Sequence, residues 1–181
     1  MITHKGTQNI QTERLHLRKY SINDAEDIFK NYATDERVAK FLTWEKYENI
    51  EDLKTFIFSQ INAYEDNIYS WVIEYQNEVI GSISVTEKSE KNKSCEIGYC
   101  IGFEFWNKGI TTEAVSAVIK YLFEVGYHRI VAKHDVENPA SGKVMMKCNM
   151  TYEGRLREYY LRHDGTYSDS LVYSILISEI H

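Results

Sequence analysis

Apolar and polar positions along this chain change period several times, and the changes mark out its elements. Residues 13–20 alternate Leu15 and Leu17 against His16 and Arg18, which predicts a half-buried strand. Ser21 or Asn23 can cap a helix in which Ala25, Ile28, Phe29 and Tyr32 share one face. A short helical piece follows over 35–42, with Val38, Phe41 and Leu42 inward. Asn49 then caps a longer helix, marked by Leu53, Phe56, Ile57, Ile61 and Tyr64. Between these helices, Trp44 and Tyr47 form an aromatic loop that either faces a substrate or covers the helix pair.

The middle of the chain is rich in strands. Residues 68–75 and 78–86 are β-branched and aromatic runs joined by Gln76-Asn77, a hairpin signal. After a polar turn, residues 94–101 give a third run. These connections are too short for a crossover, so an antiparallel meander is expected.

From Gly109 the period becomes helical. Ala114, Ala117, Val118, Tyr121, Leu122 and Val125 mark a helix that stops at Gly126. Residues 128–135 return to strand, and strand–helix–strand implies a parallel pair with a right-handed crossover. Asn138 caps a second helix with Pro139 at its first position, and Asn149 can stand in for a C-cap glycine. Two strands, 152–161 and 167–178, close the chain around the turn His163-Asp164-Gly165-Thr166. The expected architecture is a mixed α/β sheet with helices packed on it, one domain over 1–181 with a core of about 12–178.

Composition narrows the function more than the fold. With 43% hydrophobic and 27% charged residues the chain is an ordinary globular protein, and a single proline leaves no Pro-rich linker to divide it. A net charge of −6 argues against a nucleic-acid partner and is compatible with a cationic substrate such as an amine. Cys95, Cys100 and Cys148 have no metal-ligand spacing and read as reduced thiols. With no signal peptide or membrane-length apolar run, the expected location is the cytoplasm. No metal site and no membrane partner are expected.

The stretch with the clearest chemistry is Phe105-Trp106-Asn107-Lys108-Gly109-Ile110-Thr111-Thr112, a polar loop between a strand and a helix. Unpaired N–H groups at a helix start, with the dipole behind them, make an anion site. It lacks the repeated glycines of nucleoside triphosphate or dinucleotide loops.

The order of elements adds more. The strand Glu96-Ile97-Gly98-Tyr99, this loop, a helix, a strand and then Asn138-Pro139-Ala140-Ser141 resemble the GNAT superfamily of acyl-CoA-dependent N-acetyltransferases. The RimJ/RimL branch is the nearest in pattern. The resemblance runs from Thr12-Glu13-Arg14-Leu15-His16-Leu17-Arg18 to Asp169-Ser170-Leu171-Val172-Tyr173-Ser174-Ile175-Leu176.

The resemblance implies a GNAT-type fold in which strands 94–101 and 128–135 splay apart to admit acetyl-CoA. Tyr99, Cys100 and Ile101 would offer a strand edge to the pantetheine arm. Asn107, Lys108, Gly109, Ile110, Thr111 and Thr112 would hold the pyrophosphate. Asn138 would contact the pantetheine and Ser141 would protonate the leaving thiolate, because Met145 stands where many members have a tyrosine. Trp106 and Thr111 depart from the superfamily's loop pattern R/Q-x-x-G-x-G/A, and Asn107 stands where this branch often has a glycine.

Aminolysis of a thioester needs a neutral amine, so a base is required. Glu96 is the candidate, with a structural ion pair as its alternative. Tyr173, Asp169 and Glu158 are further candidates, and Trp44, Tyr47 and Tyr173 are expected on the acceptor side. The implied reaction is direct acetyl transfer to a primary amine in a ternary complex. The acceptor would be a protein N-terminus of the ribosomal-protein kind, or a polyamine, amino acid or aminoglycoside. A non-catalytic acyl-CoA sensor is the alternative outside enzymes, and the chain would act as a monomer or homodimer.

Overall fold

The alternation read from the sequence closes into one eight-stranded sheet. The computed structural model describes residues 2–180. The strands are β1 (Ile10–Gln11), β2 (Leu15–Arg18), β3 (Ser70–Tyr75), β4 (Glu78–Ser89), β5 (Ser94–Ile101), β6 (Arg129–Asp135), β7 (Thr151–Leu161) and β8 (Tyr167–Leu176), in the spatial order β1-β2-β3-β4-β5-β6-β8-β7. All neighbours are antiparallel except β5 and β6. The β3–β4 hairpin turns on Gln76 and Asn77, both at positive φ, as a two-residue primed turn requires.

Helices cover both faces. On one face, α4 (Ile110–Val125) and α5 (Pro139–Lys147) pack over Trp71, Ile73, Ile97 and Ile130. On the other, α1 (Ala25–Ile28), α2 (Glu36–Ala39) and α3 (Ile50–Ala63) form a second core with Val72 and Val79. Gly126 (φ 113°) and Asn149 (φ 59°) both adopt the left-handed conformation expected of C-caps. Asn49 caps α3 through Asp52 N–H.

Two expectations change. The helix expected after Ser21 is broken: a 3₁₀ turn over Ile22–Asp24 leads into α1, and a π turn runs over Phe29–Ala33. Its start is fixed by a capping box between Ser21 and Asp24, whose carboxylate also takes the fork of Arg18. The strand pair β1–β2 adds a short edge, Ile10–Gln11, that has no alternating run to announce it.

The feature that positions the site is the junction of β5 and β6. They pair only over Ser94–Arg129, Cys95–Ile130 and Glu96–Val131, although both strands continue. Beyond that rung β6 stays bound to β8 along its whole length, through Asp135–Ser170. From Ile97 to Ile101, β5 therefore has a free edge.

Candidate active site

A cleft of about 350 Å³ opens beside the free edge of β5. Tyr99, Cys100 and Ile101 form one wall, and Asn138, Ser141 and Val144 of α5 form the other. The loop before α4 closes one end through Trp106, Asn107, Gly109, Ile110, Thr111 and Thr112, while Arg37, Val38, Phe41 and Leu42 supply a lip. The splayed edge, the loop and the start of α5 thus meet in one place.

The edge is aimed correctly for a chain-like ligand. Gly102 N–H bonds Ile80 C=O on β4. Amide directions alternate along a strand, so the groups of Tyr99 and Ile101 face the open side. Ile101 C=O already accepts the Trp106 indole N–H at 3.0 Å, leaving its N–H free. Trp106, a departure from the superfamily pattern, thus ties the loop to the strand edge.

The loop before α4 gives an anion site. Glu113 N–H is the first amide bonded inside the helix, to Gly109 C=O, so the amides of Ile110, Thr111 and Thr112 have no helical acceptor. Asn107 (φ 60°) and Gly109 (φ 75°) are left-handed. Asparagine tolerates that region, which is why it can replace a glycine here. Arg14 braces the turn from below. Its guanidinium donates to Lys108 C=O at 3.0 Å and to Glu113, and Thr12 Oγ1 also donates to Glu113. Burial would raise the Glu113 pKa, but these bonds outweigh it and hold the carboxyl below its usual range. The Thr12–Arg14 segment is therefore a support for the loop, a role the sequence motif did not reveal.

Lys108 sits differently from its expected place. It does not line the cleft, and its ammonium lies 5.5 Å from the Phe105 ring centroid. Two other lysines, Lys143 and Lys147, line the cleft from α5 instead.

Asn138 caps α5, with its side chain accepting from Ser141 N–H at 3.4 Å. Ser141 Oγ is 3.0 Å from Tyr99 Oη, which also donates to Ser141 C=O at 3.1 Å. Burial drives the Tyr99 phenol well above its ordinary pKa, opposed only by the bond to Ser141. This pair therefore holds its protons as a donor must. The Tyr99 hydroxyl was not expected in this position, and Met145 is buried in the core.

Glu96 lies on the opposite face of the sheet. It occupies the last rung shared with β6, and successive side chains alternate, so it faces away from Tyr99 and Ser141. Its carboxylate is 2.6 Å from Lys133 Nζ, which in turn donates to Tyr159 Oη at 2.8 Å. Glu87 is its register partner on β4.

The remaining expected residues lie elsewhere. Tyr173 is 8% exposed, stacked on His134 and edge-on to Tyr152 in the α4–α5 core, so it does not face an acceptor. Trp44 and Tyr47 pack together and, through Tyr47, against Phe56, covering the helix pair. Asp169 is held by Arg155 and by Glu158 N–H.

A free strand edge beside a helix N-terminus suits a ligand that is part peptide-like arm and part phosphate, and related proteins agree. The acetyltransferase (GNAT) domain family matches residues 14–151. The chain belongs to the GNAT acetyltransferases. It is 35% identical to an uncharacterized N-acetyltransferase, YoaA of Bacillus subtilis, over 92% of this chain and 96% of that one. It is 25% identical to the ribosomal-protein-serine acetyltransferase of Escherichia coli, over 92% of this chain and 94% of that protein. Among solved structures, a GNAT acetyltransferase from Bacillus anthracis superposes with a TM-score of 0.83 at 30% identity, covering 95% of this chain and all of that one. The microcin C7 self-immunity acetyltransferase MccE, solved with acetyl-CoA and AMP, gives 0.82 at 26% identity, covering 92% and 94%.

The GNAT protein described here is an acetyl-CoA-dependent N-acetyltransferase related to the ribosomal-protein acetyltransferases. No helix among the described residues is long and apolar enough to cross a membrane. None of their His, Cys, Asp and Glu side chains form a group of three or more that could hold a metal.

Proposed function

We propose that acetyl-CoA lies in the cleft with its pyrophosphate on the amides of 109–112 and its pantetheine along Tyr99–Ile101. The thioester then reaches the vertex where β5 and β6 part. Glu96 takes the proton of an acceptor amine arriving from the α1–α3 side. The amine attacks directly, and the Tyr99–Ser141 pair protonates the departing thiolate from the α4–α5 side. The observation behind this reading is the placement of a carboxylate and a hydroxyl pair on opposite faces of the same splayed junction. General acid and general base then need not compete for one site.

The acceptor we infer is a protein N-terminus; the support is the kinship with a ribosomal-protein-serine acetyltransferase, whose acceptor is a protein. Thiol release from acetyl-CoA, measured with N-terminal peptides, polyamines, amino acids and aminoglycosides, tests this directly. Turnover on peptides ahead of every small amine is the expected result. Turnover confined to small amines overturns the acceptor, and CoA binding with no turnover on any of them overturns the mechanism. Replacing Glu96 by Gln lowers turnover with little change in CoA affinity if Glu96 is the base.

A further inference from the structure

The face of the sheet that carries Glu96 also holds an amine belonging to the chain itself. Lys133 lies two residues beyond the last β5–β6 rung, on the same sheet face as Glu96. Its side chain is only 13% exposed, with Nζ within hydrogen-bond distance of Glu96 Oε2 and Tyr159 Oη. The backbone beneath it is fixed, because β8 pairs with β6 on both sides of this position. An acceptor amine needs the same surroundings: a carboxylate in reach, a second acceptor and shelter from water.

We propose that Lys133 stands in the place of the acceptor amine and is itself a slow acetylation site when acetyl-CoA is bound without an acceptor. The proposal rests on reading Glu96 as the base. Glu96 takes one proton from the Lys133 ammonium, and the neutral Nζ attacks the thioester carbonyl. The N–C bond forms as the C–S bond breaks. The sulfur leaves as the CoA thiol with a proton from the Tyr99–Ser141 pair, which the second amine proton replaces. The balance is one amide and one thiol formed, one thioester consumed and one proton released.

Two effects oppose each other in the rate. Burial favours neutral Lys133, but its bonds to Glu96 and Tyr159 outweigh burial and hold its pKa above the ordinary lysine range. The reactive amine is therefore scarce. Against that, the amine is built into the site, and well-oriented intramolecular groups reach effective concentrations of about 10⁵–10⁸ M. Self-acetylation is thus slower than turnover on a bound acceptor yet faster than uncatalysed acetylation of lysines in water. The product has no charge on Lys133 and leaves Glu96 without its ion pair.

The test incubates the full chain with acetyl-CoA alone and maps acetyl groups by peptide mass spectrometry. Lys88 and Lys91, both exposed, report uncatalysed acetylation. Lys133, although half-buried, is expected to gain acetyl roughly tenfold faster than either, a small share of the general-base effect. Lys133→Arg, which keeps the cation, lowers the intact-mass acetylation by that one fast site, and its melting temperature reports that it folds. Acetylation of Lys133 no faster than of Lys88 and Lys91 overturns the proposal. Glu96→Gln separates the two readings. If it abolishes turnover on amines while wild-type Lys133 stays unmodified, only the present proposal fails. If Glu96→Gln turns over amines normally, the base assignment itself fails.

Discussion

Tyr99 Oη and Ser141 Oγ lie 3.0 Å apart, joining the free edge of β5 to the first turn of α5 across the mouth of the cleft. The hydroxyl pair holds the two walls together, and in the proposed reaction it also supplies the proton to the leaving thiolate. Removing Ser141 Oγ by Ser141→Ala is expected to lower kcat about 10²-fold, the lower end for a lost general acid, with CoA affinity nearly unchanged. Tyr99→Phe costs about 1 kcal/mol of stability for its lost hydrogen bonds and lowers kcat as well. If both act through one proton path, as proposed, the double variant should be no slower than the slower single one. Steady-state kinetics of the three variants check this, and fully multiplicative losses would show that the residues act separately.

Trp106 donates its indole N–H to Ile101 C=O at 3.0 Å and packs on Phe103, with ring centroids 4.9 Å apart. Trp106→Phe keeps most of the packing and removes the donor. The loop then loses its tie to the strand edge, and CoA binding is expected to weaken by about fivefold, near 1 kcal/mol for one hydrogen bond. Calorimetric titration with CoA measures it, and an unchanged dissociation constant would mean that Arg14 alone sets the loop.

How much of this was legible in the sequence depended on range. The period changes around residues 94–150 announced the strand–helix–strand–helix unit, and the Asn138-Pro139 cap announced the start of α5, because these signals are local. Tyr173 was misplaced for a local reason too. Leu171, Tyr173 and Ile175 alternate with Ser170, Val172 and Ser174, so the apolar series marks the core face, and Tyr173 belongs to it. The Lys133–Glu96 and Arg162–Asp135 pairs had no such signal. Their partners are separated by long stretches of chain, and only the strand register brings them together.

At Gly142, α5 lies close against the sheet. A Cβ there would fall 2.6 Å from His134 Nε2, on a ring that is 5% exposed, stacked on Tyr173 and bonded through Nδ1 to Asp135 C=O at 2.8 Å. The ring has nowhere to go. Alanine would add about 0.5–1 kcal/mol of helix propensity, whereas overpacking costs about 1–3 kcal/mol, so Gly142→Ala destabilises the fold. The helix that carries Asn138 and Ser141 would lift with it. A lower melting temperature together with weaker CoA binding is expected; stabilisation would show that α5 can shift freely.

Asp135, 5% exposed, accepts both arms of the Arg162 fork at 2.9 and 2.8 Å, with Ser168 Oγ and Glu137 N–H as further donors. Burial pushes its pKa up, but Arg162 and the other donors outweigh burial and hold the carboxyl below the usual carboxylate range. A carboxylate depressed in the folded state contributes stability that is complete above its unfolded pKa, about 4. That contribution is lost as pH falls through the folded value. Glu153, beside Arg129 and Ser174, is held at about 2 and acts in the same direction. Its side chain is 37% exposed, so solvent screening leaves it the smaller share. Asp135→Asn removes the carboxylate that takes both arms of the Arg162 fork and leaves Glu137 as the remaining ion-pair partner, so the variant is expected to lose stability. Urea unfolding of wild type and variant at a series of pH values checks both points. The variant should be less stable at neutral pH, and the two curves should converge as pH falls from about 4 towards 2. Parallel curves would show that Asp135 does not carry the acid sensitivity of the fold.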